Sequence, residues 1–101
     1  MMATLHLLSH SPFNDGRFAS CLQLLGPGDG LLLTGEAVHA LRDGTAPRRE
    51  LDQTPATNAL FALLEDLQAR GLDNPPERVV AVDYAGFVDL CTRFDKVNAW
   101  L

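Results

Sequence analysis

The run Asp29-Gly30-Leu31-Leu32-Leu33-Thr34 decides the fold. It is a short apolar stretch opened by glycine, and its consecutive leucines leave it no polar side. A strand that is apolar on both faces belongs in a parallel sheet covered above and below. Upstream, Ala3-Thr4-Leu5-His6-Leu7-Leu8 is too short for a core helix and ends at Ser9-His10-Ser11-Pro12, so it also reads as a buried strand. Downstream, Val79-Val80-Ala81-Val82 is the clearest strand of all, β-branched and followed at once by Asp83. Asn58-Ala59-Leu60-Phe61-Ala62 suits a third strand or a helix almost equally, and Val97-Asn98-Ala99-Trp100-Leu101 offers a terminal strand.

Helical periodicity fills the gaps. Asn14-Asp15-Gly16 supplies turn and N-cap chemistry for a helix over 17–25, where Phe18, Cys21, Leu22 and Leu25 share one apolar face. Gly26-Pro27-Gly28 stops it, with glycine expected at the C′ position. Ala37 to Leu41 forms a short helix that Gly44 ends, and Leu63 to Arg70 forms one that Gly71 ends. In the last helix Phe87, Leu90, Cys91 and Phe94 line one face, and Asp83 stands where an N-cap belongs. The stretch from Asp43 to Thr57, with Pro47, Arg48, Arg49 and Pro55, is polar and without period, and is expected to be irregular. Strands alternating with helices predict an α/β fold, one small domain over residues 1–101 with a mostly parallel sheet flanked by helices.

Composition narrows the function. With 101 residues, 47% of them hydrophobic and 21% charged, the chain can bury an ordinary core, which excludes a disordered segment or a disulfide scaffold. Eight Lys and Arg against 13 Asp and Glu give a formal charge of −5, which disfavours direct binding to nucleic acid. No apolar run is long enough to span a bilayer, and no basic region precedes a continuous apolar stretch at the N-terminus. Two cysteines without framework spacing suit a reducing compartment, so the expected location is the cytoplasm.

Few motifs carry chemistry. Gly26-Pro27-Gly28-Asp29-Gly30 precedes a strand instead of following one, and no lysine comes after it, so it reads as a tight connection and not a phosphate loop. His6, His10 and His39 do not converge at metal-ligand spacing with either cysteine, and His6, between Leu5 and Leu7, reads as a hydrogen-bonded core or interface histidine. Glu65, Asp66, Asp83 and Asp89 are not arranged for acid–base work. No cofactor and no metal is expected. Cys21 and Cys91 both occupy apolar helix faces, where a free cysteine usually packs. Cys21 also has Arg17 one turn earlier, and a guanidinium can stabilise the thiolate that accepts sulfur; packing still outweighs chemistry on these grounds.

Several stretches together resemble the TusB/DsrH family of sulfur-relay subunits. They are Leu5-His6, Ser11-Pro12-Phe13, Ser20-Cys21-Leu22, Gly28-Asp29 with Leu31-Leu32-Leu33, Glu65-Asp66-Leu67 with Ala69-Arg70-Gly71, Asp83-Tyr84 with Phe87-Val88-Asp89-Leu90, and Asn98-Ala99-Trp100-Leu101. The resemblance implies a DsrE/DsrF/DsrH-type, flavodoxin-like domain. It further implies a heterohexameric sulfurtransferase complex with TusC/DsrF-like and TusD/DsrE-like sister subunits, which takes persulfide sulfur from a TusA-like donor. The sulfur ends in 2-thiouridine at the tRNA wobble position in the Tus branch, and belongs to dissimilatory sulfur oxidation in the Dsr branch. The principal sulfur-carrying cysteine of such complexes sits on the TusD/DsrE-like subunit. Cys21 matches the cysteine of DsrH-like members and is thereby a candidate secondary persulfide acceptor, whereas Cys91 matches no family motif.

Three readings follow. The chain is a non-autonomous subunit that carries sulfur on Cys21, or a purely structural subunit, or, by fold analogy alone, a small-ligand or flavin-binding module. In either subunit reading, apolar surface is expected to be buried by sister subunits, with Trp100 a candidate anchor.

Overall fold

Five strands among the described residues, β1 (Thr4–Leu8), β2 (Gly30–Leu33), β3 (Ala59–Leu63), β4 (Val79–Val82) and β5 (Lys96–Trp100), form one sheet. The structure is a computed structural model and describes residues 3–100. The strand order is β4-β3-β2-β1-β5, and every pairing is parallel. Between the strands lie α1 (Arg17–Leu24), a 3-10 helix (Gly35–Leu41), α2 (Ala46–Asp52), α3 (Leu64–Ala69) and α4 (Tyr84–Arg93).

The order explains which face each helix covers. From β1 to β4 the chain steps in one direction across the sheet, so right-handed crossovers put α1, the 3-10 helix, α2 and α3 on one face. From β4 it returns the other way to set β5 beside β1, so α4 crosses the opposite face. Alternate residues of the strands supply the two cores. Leu8, Leu31, Leu33, Leu60 and Ala62 join Phe18, Cys21, Val38, Leu51 and Leu67 in the larger cluster. Leu5 and Leu32 meet Leu90 in the smaller one, with Phe87 and Cys91 of α4 and its C-cap residue Phe94 packed around them.

All four residues of β2 are buried, as an apolar run in a doubly covered sheet requires. Asn58 to Ala62 resolves in favour of a strand, because Gly30 to Leu33 pair in register with Ala59 to Ala62. Leu63, expected at the start of a helix, is the last residue of β3 and caps α3 without an intervening loop. Asp83 caps α4 as expected, its side chain accepting the Gly86 N–H at 2.7 Å.

Two local expectations are corrected. The stretch 43–57 contains α2. Thr45 accepts the Arg48 N–H and Pro47 sits in the first turn, while Pro47 and Leu51 are buried and the other five α2 side chains are not. Seven residues with two apolar contacts are too few to display a helical period. The end of α1 uses no left-handed glycine at C′. Leu25 is already extended, Gly28 takes the positive φ of 84°, and the Asp29 carboxylate accepts the Gly26 N–H.

Candidate functional site

His6, Asp29 and Asn58 are the buried polar residues among those described, and they meet at the amino end of the sheet. Each abuts or interrupts an otherwise apolar strand, and their polar groups answer one another. Asp29 Oδ1 accepts the Thr4 N–H at 2.9 Å, and Oδ2 accepts the Gly26 N–H at 2.9 Å and faces His6 Nε2 at 3.3 Å. Asn58 Nδ2 donates to the carbonyls of Gly26 and Asp29 at 2.8 and 3.0 Å. From β5, Trp100 Nε1 donates to His6 Nδ1 at 3.2 Å. An indole can only donate, so this network assigns the imidazole proton to Nε2, which donates to Asp29. Burial works against the charge of Asp29, but the Thr4 and Gly26 N–H groups and His6 outweigh it and hold the carboxyl below the ordinary range.

Cys21 reaches the same region from α1. Its side chain is wholly buried, and burial, together with the Asp29 charge, pushes its thiol up to about 12. The thiol is therefore protonated near neutrality, and the Arg17 guanidinium pairs with the Asp15 carboxylate. His6, the one histidine in this group, has both ring nitrogens engaged, so the arrangement holds no free base. Beside it, a cleft of about 440 Å³ is lined by Thr4, His6, Leu24, Asp29, Lys96, Val97 and Asn98.

The other residues singled out in the sequence lie apart. His10 is exposed, and His39 binds Glu36 at 2.8 Å and accepts from Arg42 at 2.9 Å. Asp66 accepts the Gly35 N–H at 2.7 Å, Glu65 accepts the Tyr84 N–H, and Asp89 pairs with Arg93. No group of three metal-ligating side chains occurs among the described residues. No described helix is long and apolar enough to cross a membrane. Cys91 is half-buried against the α4 core.

The remaining feature is a surface. One helix cannot cover five strands, and α4 leaves Val80 (53% exposed) and Val97 (44%) bare on its side of the sheet. Their face is fixed by register, since Val80 pairs with Phe61 and Val97 with Leu5, both in the α4 core. On α4 itself Tyr84 and Val88 are exposed at 58% and 64%. Trp100, a candidate anchor for sister subunits, is half-buried and packs against the larger core.

The fold, a parallel sheet with helices on both faces, is shared with known proteins. The family described as DsrH like protein matches residues 10–97. Protein TusB of Erwinia tasmaniensis is 39% identical over 97 residues, covering 95% of this chain and 99% of that protein. Protein TusB of Escherichia coli O81 is 38% identical over the same shares. Among solved structures, the ychN protein from E. coli superposes with a TM-score of 0.84 over 99% of this chain and 100% of that one, at 17% identity, which speaks to the fold alone. The chain belongs to the TusB/DsrH family.

Proposed function

We propose that this chain is a scaffold subunit of a cytoplasmic sulfur-relay complex serving 2-thiouridine formation at the tRNA wobble position. Its near-full-length relationship to TusB proteins carries the reading and favours the Tus branch over the Dsr branch. In this assignment TusC-like and TusD-like sister subunits bury the open α4 face, and persulfide from a TusA-like donor travels on a sister subunit's cysteine. Cys21 packs. Persulfide exchange needs an attacking thiolate with access to the donor's outer sulfur, and a buried thiol with a pKa of about 12 offers neither. The acidic balance of the chain fits a subunit that never grips the tRNA.

The test is intact-mass spectrometry after exposure to a persulfurated TusA-like donor, on the chain alone and co-assembled with its sister subunits. The expected result is added sulfur on a sister subunit, unchanged by Cys21→Ser. Added sulfur on this chain that disappears in Cys21→Ser would instead make Cys21 a secondary carrier. Failure to co-assemble with TusC-like and TusD-like subunits would overturn the subunit assignment itself.

A further inference from the structure

The chain's last described strand is held by little besides its backbone ladder. β5 pairs with β1 alone, and Lys96 to Ala99 are exposed. At its entry, Asp95 Oδ2 accepts the Ala3 N–H at 2.8 Å. At its far end the polar side-chain anchor is the bond from Trp100 Nε1 to His6 Nδ1, with ring centroids 6.2 Å apart. We infer that His6 is a proton-operated latch for β5: the neutral imidazole holds Trp100, and the imidazolium releases it.

Donor and acceptor identity make this bond sensitive to protonation. An indole N–H has no lone pair to offer, and Nδ1 can accept it only while unprotonated. A second proton on the ring sets two N–H groups against each other across 3.2 Å. The ring cannot turn away to relieve this, because its Nε2–H is directed at Asp29 Oδ2, and that bond strengthens when the ring is charged. Asp29 is itself fixed by the N–H groups of Thr4 and Gly26. The indole is the movable partner, since it sits on an edge strand. Among the described residues, the charged and titratable groups facing His6 are few. Asp29, ahead of β2, faces Nε2; Lys96 on β5 lines the same cleft; Cys21 on α1 stays a neutral thiol; and Asp95 is engaged with Ala3. Asp29 thus keeps the protonated ring in place while the Trp100 bond is lost, which makes the pair a switch and not a general acid-unfolding site.

Trp100 is the chain's one tryptophan, so its emission reports the latch directly. The experiment follows the emission maximum and the hydrogen exchange of the β5 amides in the full chain between about pH 8 and about pH 5, a window bracketing ordinary imidazole titration. Exchange is corrected for its intrinsic pH dependence. Acidification is expected to shift emission to the red and to lower β5 protection about tenfold, the equivalent of one hydrogen bond, while β2 and β3 stay protected. His6→Asn places a carbonyl oxygen where Nδ1 stood, and should hold Trp100 at every pH in the window. Trp100→Phe removes the donor, and its β5 protection should be low and independent of pH. A pH-dependent loss of β5 protection that persists in Trp100→Phe would overturn the latch, as would wild-type protection that does not change. If His6→Asn does not fold, the Trp100→Phe exchange data decide the matter alone.

Discussion

The two faces of the sheet are built from alternate residues of the same strands, yet they differ in kind. Beneath α1, the 3-10 helix, α2 and α3, the strand residues meet a continuous core that seals even a cysteine and a histidine. Beneath α4, Leu5 and Leu32 are fully buried, while Val80 and Val97 on the flanking strands remain open. Neighbouring leucines of β2 show the contrast most directly, since Leu31 faces the thick side and Leu32 the thin one. Burial at one residue therefore says little about how replaceable its surroundings are.

The comparison can be tested at graded strengths. Leu31→Ala should cost the most, about 3–5 kcal/mol by urea denaturation, because four elements hold the cavity open. Leu32→Ala should cost less, about 2–3 kcal/mol, because a single helix can settle into the gap; equal losses would erase the distinction.

On the thick side, Asp29→Asn should cost about 1–3 kcal/mol near neutral pH, by leaving buried donors poorly matched. The pH dependence has a definite sign. A carboxyl held below its unfolded value contributes stability that is complete above about pH 3.9 and is lost as pH falls through the lower folded value. Below about pH 4 the wild type should lose stability with falling pH, and Asp29→Asn should lack that component. Parallel urea curves for the two proteins at each pH would contradict it.

On the thin side, a Cβ added at Gly30 would lie 2.6 Å from Phe94 Cζ, so Gly30→Ala must displace the Phe94 ring. The expected cost is about 1–2 kcal/mol, partly restored by Phe94→Leu in a double-mutant cycle. Smallest of all, Val88→Asp should change the stability of the isolated chain by no more than about 0.5 kcal/mol while abolishing co-assembly with sister subunits, read by native mass spectrometry. Intact assembly in Val88→Asp and in Val80→Asp would detach the open face from the proposed interface.

The thick side was more legible in the sequence than the thin one. Leu31-Leu32-Leu33 announces a doubly covered strand, and the Phe18–Cys21 and Phe87–Phe94 periodicities announce the helices on either face. Helix α2 has no apolar signature because its order comes from a threonine cap and from Arg48, which reaches the Leu41 carbonyl and the Asp43 and Asp52 carboxylates. None of these leaves an apolar period. The β-branched run 79–82 identifies a strand and conceals that it is an edge, since strand propensity is the same at either position. His6 could be read as a satisfied core histidine, but its partners could not. Asp29 and Trp100 lie 23 and 94 residues away and come together only through the order of the strands.

That order has a consequence for synthesis. The N–H of Ala3 is bound by Asp95, 92 residues later, and β1 is flanked by β2 on one side and by β5 on the other. As the chain leaves the ribosome, β1 is made well before β5, and one of its edges stays open until β5 arrives. The segment that becomes an interior strand of the finished sheet is thus unprotected against stray strand pairing until residues 96–100 have been made.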